Sequence, residues 1–200
     1  MTFRAARPTR ATGRNASFFM IIDLRLLATL VVLAVVSSTP GKPAIGAPIV
    51  FPTVTGSNLN GKTFQLPRDF QAPASLVFIA YQREQQTDVD SWKSVAADLR
   101  RRFPFVGEYE LPTLSRNITL FRGFIDGGMR RGIPDPATRA ATITLYIDKN
   151  AFNRALDIGD ERAIVIVLVK PDGTILWRTT GSYATGKESG LDAALAPLKT

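Results

Sequence analysis

Apolar and polar residues are arranged along the chain so that strand-like and helix-like stretches follow one another. Two runs, Ser75–Tyr81 and Ala163–Val169, are almost continuously apolar, as expected for strands buried on both faces of a sheet. Residues 142–147 alternate between polar and apolar, and residues 106–111 form a shorter strand-like stretch. With helical stretches between these runs, the order of elements predicts an α/β domain: a central mixed β-sheet flanked by helices on both faces.

Four helices are predicted between and after these strands. The first begins at Thr87, a residue type that caps helices. Its apolar face comprises Val89, Trp92, Val95, Ala96, Leu99 and Phe103. The second helix is expected to fray at Gly127-Gly128, and its apolar face comprises Ile118, Phe121, Ile125 and Met129. Asp148 is expected to cap the third helix, and a capping box at Thr185–Glu188 predicts the start of the last one.

Turn residues predict two hairpins. Asn60-Gly61, followed by Phe64–Leu66, is a strong signal for a tight turn between two antiparallel strands. Lys170–Gly173 contains proline, aspartate and glycine, each of which favours a tight turn for its own reason. The strand after this second turn is expected to cover residues 174–180.

The first of these turns also matches a nucleotide-binding motif. Gly56–Thr63 fits the pattern G-x-x-x-x-G-K-[ST], in which Lys62 would reach phosphates and Thr63 would hold Mg²⁺. A P-loop opens a helix, whereas Phe64–Pro67 has the pattern of a strand ended by a proline. The hairpin is therefore the preferred interpretation, and a nucleotide-dependent enzyme is the alternative.

The N-terminal residues have the layout of a secretory signal. Four arginines between Arg4 and Arg14 precede an apolar stretch whose uninterrupted part, Leu26–Val36, is 11 residues long. A membrane-spanning helix needs roughly 20 apolar residues, whereas the apolar part of a signal peptide needs about 7–15. Small residues then predict cleavage between Ser38 and Ala47, and translation starting at Met20 would give a more compact signal.

This pattern divides the chain into residues 1–46, a signal peptide and linker, and residues 47–200, the mature domain. An uncleaved N-terminal membrane anchor is the alternative for the first segment. The predicted localisation is accordingly periplasmic or secreted, with a membrane-anchored protein as the alternative. Membrane contact is expected only through the N-terminal segment, if that segment is not cleaved.

Composition and charge narrow the possible functions. The chain has no cysteine and no histidine, which excludes thiol redox chemistry, Cys-His and Ser-His catalysis and the commonest metal ligand. The net charge is +8, but residues 1–46 carry six basic and one acidic side chain, which leaves +3 for the remainder. The excess charge is therefore mainly a targeting feature, and we predict no enzyme, no cofactor, no metal and no nucleic-acid partner.

Several stretches resemble known proteins. Asn60–Leu66, the strand Ser75–Tyr81 and Asp172-Gly173 are similar to the thioredoxin-like superfamily, in its peroxiredoxin-related branch. Residues 143–149, 173–178 and 122–133 resemble the mitochondrial ATP synthase assembly-factor family and its bacterial relatives. The resemblance implies a thioredoxin-like fold and a chaperone that assembles a membrane complex, not an oxidoreductase.

The chain departs from the redox members of that superfamily at two positions. Where they have a reactive cysteine, between the first core strand and its helix, this chain has Gln82–Thr87. Where they have a cis-proline before the hairpin strand, this chain has Ala163-Ile164. A disulfide reductase or peroxidase needs a thiolate, so redox activity of the fold is not expected.

The stretch 121–139 is the predicted docking surface for a protein partner. It combines arginines, apolar residues and glycines, and arginine and methionine are enriched at protein interfaces. The expected partner-binding residues are Arg122, Phe124, Asp126, Met129, Arg130, Arg131 and Arg139. The alternative is a loop that packs its apolar residues on its own core and leaves the arginines in solvent. The sequence thus predicts an exported, non-catalytic thioredoxin-like protein that binds other proteins.

Overall fold

The structure, a computed structural model, describes residues 48–199, whose seven β-strands form one mixed sheet. The strands are β1 (Val54–Asn58), β2 (Thr63–Leu66), β3 (Ala74–Ala80), β4 (Val106–Ser115), β5 (Ile143–Ile147), β6 (Val165–Val169) and β7 (Ile175–Thr180). Their order across the sheet is β2-β1-β5-β4-β3-β6-β7. The β3–β4 and β4–β5 pairs are parallel, and the other pairs are antiparallel. The predicted signal segment, residues 1–46, lies outside the described residues.

Helices cover both faces of this sheet, as predicted. Within the described residues they are α1 (Gln86–Ser91), α2 (Lys93–Arg102), α3 (Arg122–Gly132), α4 (Pro136–Ala141), α5 (Lys149–Ala155) and α6 (Leu191–Leu195). Short 3₁₀ helices occupy Arg83–Gln85, Arg116–Phe121 and Ala196–Leu198. Helices α1, α2 and α6 pack on one face, and α5 packs on the other.

The face under α1 and α2 is organised around Trp92, which is completely buried. Its ring lies edge-on to Trp177 and Tyr183, with centroid distances of 6.1 and 5.2 Å. The buried indole N–H donates to the carbonyl oxygen of Gly181 at 3.0 Å, so its polar group is not left unpaired. The helical face predicted from the spacing of residues 89–103 is therefore confirmed.

The opposite face is built on aromatic contacts around Phe51. Its ring makes edge-on contacts with Phe152 of α5, at 5.7 Å between centroids, and with Phe70, at 6.2 Å. Asp148 caps α5 as predicted, since its carboxylate accepts the backbone N–H of Ala151 at 3.0 Å. This cap positions Phe152 over the sheet.

The P-loop interpretation of Gly56–Thr63 is wrong. The segment is the β1–β2 hairpin, and Thr63 begins a strand instead of a helix. The loop amides are already used: the Asn58 side chain accepts the N–H groups of Asn60 and Lys62 at 3.1 and 2.8 Å. The N–H of Gly61 donates to the Asn58 carbonyl oxygen at 2.9 Å. Amides bonded in this way cannot cradle a phosphate.

Gly56 has a packing role that explains its place in β1. A β-carbon at this position would lie 2.6 Å from Leu145 Cδ2 and 2.7 Å from Ile143 Cγ2. The absence of a side chain lets β1 lie beside β5 while both large residues of β5 stay buried. The sequence presents Gly56 only as part of the P-loop-like pattern and does not predict this packing role.

Three predicted helix boundaries differ from the structure. The first helix begins at Gln86, directly after a 3₁₀ turn, and Thr87 lies inside it instead of capping it. The last helix begins at Leu191, not at the capping box. Gly190, with a φ of 89°, has a left-handed conformation that a right-handed helix cannot contain, so the helix starts after it. Helix α3 does not fray at Gly127-Gly128 but continues to Gly132.

Candidate functional site

The position of the missing redox motif, at the carboxyl end of β3, is closed by the side chain of Gln85. This glutamine is buried, and its Oε1 accepts the backbone N–H groups of Tyr81 and Gln82 at 2.7 and 3.2 Å. Its Nε2 donates to the carbonyl oxygen of Glu161 at 2.7 Å. We call this arrangement the glutamine cap. It satisfies three backbone groups at this end of the strand.

A second polar network lies beside the glutamine cap and joins α5 to the following loop. The Tyr81 hydroxyl donates to Asn153 Oδ1 at 2.8 Å, and Asn153 Nδ2 donates to Glu161 Oε1 at 2.8 Å. Lys149 forms an ion pair with the same glutamate. Burial, followed by the negative charge of Glu161, raises the pKa of the Tyr81 hydroxyl above its usual value. At neutral pH the phenol is therefore a protonated hydrogen-bond donor to Asn153.

Two predicted docking residues instead attach α3 to the sheet. Arg122 Nε donates to Asp126 Oδ2 at 3.2 Å, and the other oxygen of Asp126 accepts the Tyr146 hydroxyl at 3.0 Å. The Arg122 guanidinium also lies 5.3 Å from the centroid of the Tyr146 ring. Burial raises the pKa of Tyr146, and its hydrogen bond to Asp126 adds to the effect. This three-residue contact holds α3 against β5.

Two further predicted residues fasten the first hairpin. Arg130 Nε donates to the carbonyl oxygen of Leu59 at 2.8 Å. Arg139 Nε donates to Asn60 Oδ1 at 3.2 Å, and its Nη1 reaches the carbonyl oxygen of Pro134 at 3.3 Å. Helix α3 is thus attached at Tyr146 of β5 through Asp126 and at the hairpin turn through Arg130. Three of the four arginines predicted to bind a partner, Arg122, Arg130 and Arg139, therefore form hydrogen bonds within their own chain.

The exposed part of the predicted segment is apolar. Phe124 is 80% exposed, and it is joined by Leu120 at 94% and Phe121 at 63%. We call these three residues the apolar triad. Met129 is half-buried, whereas Arg131 is exposed and makes no side-chain hydrogen bond or ion pair within the described residues. Of the seven predicted residues, Phe124 and Arg131 are therefore the ones most available to a partner.

Sequence reasoning placed Phe121 on the inner face of a helix and did not single out Leu120. The reason is that residues 116–121 form a 3₁₀ helix, which turns through a different angle per residue than an α-helix. Phe121 consequently lies on the outer side with Phe124, while Ile118 and Ile125 are half-buried. The sequence did contain a signal for this patch, because Leu120, Phe121 and Phe124 are three large apolar residues within five positions.

Comparison with known proteins shows the fold and no closer relationship. No protein-family model matches the sequence, and no curated protein matches it. Yeast Sco1 with copper bound superposes with a TM-score of 0.52 and 13% identity, covering 78% of this chain and 96% of Sco1. An uncharacterised conserved protein from Geobacillus kaustophilus gives a TM-score of 0.50 and 15% identity, covering 74% of this chain and 81% of that one.

These similarities confirm that the chain has a thioredoxin-like α/β fold. The narrower resemblance to the ATP synthase assembly-factor family stays a prediction. Sco1 was solved with copper, a metal that favours thiolate and imidazole ligands, and this chain has no cysteine or histidine to supply them. Within residues 48–199, no group of three or more acidic side chains is arranged to hold a metal ion. No helix in the same range has the length and apolar character needed to cross a bilayer.

Proposed function

We propose that this is an exported, non-catalytic thioredoxin-like protein that acts by binding another protein, as a chaperone or assembly factor for a membrane complex. The observation that carries the proposal is the exposed apolar triad with Arg131 beside it, in the segment that the sequence marks as a docking surface. Isolated exposed apolar residues are ordinary, but three neighbouring ones indicate an interaction site.

The closed carboxyl end of β3 supports a role without catalysis. The glutamine cap occupies the position where redox relatives carry their thiol, and the chain has no cysteine to replace it. Binding through the outer surface of α3 is the function that remains compatible with both features.

Crosslinking followed by capture from host membranes tests this proposal. The double variant Phe124→Ser, Arg131→Glu removes apolar area and reverses one charge, and we expect it to lose partner capture by more than tenfold. Its melting temperature should stay close to that of the wild type, because both side chains are exposed. Arg154→Glu on α5 is the matched control: it reverses an exposed arginine on the opposite face of the sheet.

Capture that survives the double variant would contradict docking through α3. The exported state is tested separately by the intact mass of the protein isolated from its host. Cleavage between Ser38 and Ala47 predicts a product shorter by roughly 38–46 residues. A full-length product retained in membranes would support the N-terminal anchor instead.

A further inference from the structure

We propose that the apolar triad inserts into the interfacial region of an anionic lipid bilayer, so that the outer surface of α3 lies on a membrane. This contact would use the same side chains as the protein binding proposed above, and vesicles without protein test it separately. It would hold the domain beside a membrane-bound partner even after removal of the N-terminal segment.

The geometry of the segment produces a projecting apolar patch. Phe124 follows Phe121 by three residues and Leu120 by four, and all three side chains are exposed at the junction of the 3₁₀ helix and α3. The other side of the segment faces the domain through the Arg122–Asp126–Tyr146 contact. Neither α3 nor the preceding 3₁₀ helix contains a fully buried residue. The patch therefore stands outward from the sheet.

The area of the patch is sufficient for contact with a lipid interface. Taking about 200 Å² for each aromatic side chain, the exposed fractions of 63% for Phe121 and 80% for Phe124 give roughly 290 Å², to which Leu120, 94% exposed, adds. A standard protein interface buries about 800 Å² on each partner. A bilayer accepts a small projecting patch without a complementary groove, and interfacial segments bury their apolar face about 5–10 Å into the boundary of headgroups and acyl chains.

The charges around the patch are complementary to anionic headgroups. Residues 116–133 contain four arginines and one acidic residue, Asp126. The Asp126 carboxylate is occupied by Arg122 and Tyr146, so the free charge of the segment is positive. Arg116 and Arg131 are exposed and make no side-chain hydrogen bond within the described residues. A basic residue near an anionic membrane surface strengthens binding by about fivefold.

The absence of cysteine makes a site-specific test possible. In the full chain, Phe124→Cys and Leu120→Cys each create a unique thiol for an environment-sensitive fluorophore. Gln71→Cys provides the control, because Gln71 is exposed in the loop before β3, at the opposite end of the parallel strands. Each labelled protein is mixed with vesicles of phosphatidylcholine alone and with vesicles that also contain phosphatidylglycerol. A probe at a specific position reports contact there, whether or not the N-terminal segment also binds lipid.

We expect a blue shift at positions 120 and 124 with the anionic vesicles and no shift at position 71. Adding Arg131→Gln should weaken the apparent vesicle affinity of the position-124 probe about fivefold. Equal shifts at all three positions, or no shift at 120 and 124, would overturn the proposal. A shift seen only with membranes that contain host proteins would also overturn it and would favour a protein in contact with the triad. These vesicles contain no protein, so they test lipid contact separately; the Phe124→Ser, Arg131→Glu variant would lose capture from membranes through either contact.

Discussion

Replacing Gln85 with leucine tests whether the hydrogen bonds of this side chain stabilise the carboxyl end of β3. The substitution keeps a side chain of similar size but removes the Oε1 and Nε2 atoms through which Gln85 forms the glutamine cap. It leaves the N–H groups of Tyr81 and Gln82 and the carbonyl of Glu161 without their partner. An unsatisfied buried polar group costs about 1–3 kcal/mol, and Gln82 is partly solvated, so we expect a loss of about 3 kcal/mol in total.

Urea unfolding followed by tryptophan fluorescence measures this loss, since Trp92 is buried in the native state. For a domain of this size, about 3 kcal/mol corresponds to roughly 6–12 °C in melting temperature. Gln71→Leu is the matched control, because Gln71 is exposed and its side chain makes no hydrogen bond in the described residues; it should change stability by less than about 0.5 kcal/mol. If Gln85→Leu costs less than about 1 kcal/mol with an unchanged denaturant slope, the cap is not a structural closure.

Three further outcomes are expected. The purified protein should neither reduce insulin disulfides nor consume peroxide above a blank, because it has no thiolate; turnover above the blank in a homogeneous sample would contradict this. Lys62→Ala should change stability by less than about 0.5 kcal/mol, and calorimetry should detect no ATP binding by either form, since Lys62 is exposed in a closed hairpin. Burial raises the pKa of Glu110 above its ordinary value of 4.5, so its ionisation opposes folding as pH rises through the raised pKa. Glu110→Gln should therefore raise the melting temperature at pH 7 but not at pH 4, and no rise at pH 7 would show that burial of this carboxylate is not costly.

The elements with strong local signals were predictable from the sequence. Strands β3 and β6 are continuous apolar runs, and the Lys170–Gly173 turn closes as its residues indicate, with Gly173 at a φ of 89°. Such signals depend on nearest neighbours in the chain. The pattern of parallel and antiparallel pairing follows from connections that the order of elements restricts to a few topologies.

The site was harder to predict because its contacts join residues distant in the chain. Arg130 and Leu59 are 71 residues apart, and Gln85 and Glu161 are 76 apart. An arginine that binds a distant carbonyl has the same local sequence pattern as one that faces a partner. The exposure of Leu120 and Phe121 likewise depends on the 3₁₀ geometry of residues 116–121, which apolar spacing alone does not reveal.

The proposed contacts lie near the carboxyl ends of the parallel strands. In α/β proteins this edge of the sheet is where ligands bind, because the loops after the parallel strands meet there. After β3 the chain forms the glutamine cap, and after β5 it forms the Lys149–Glu161 ion pair, so both loops are bonded internally. After β4 the chain continues into the 3₁₀ helix that ends in Leu120 and Phe121, whose side chains are exposed. The loop after β4 thus presents exposed apolar side chains, and the protein and lipid contacts proposed above both depend on it.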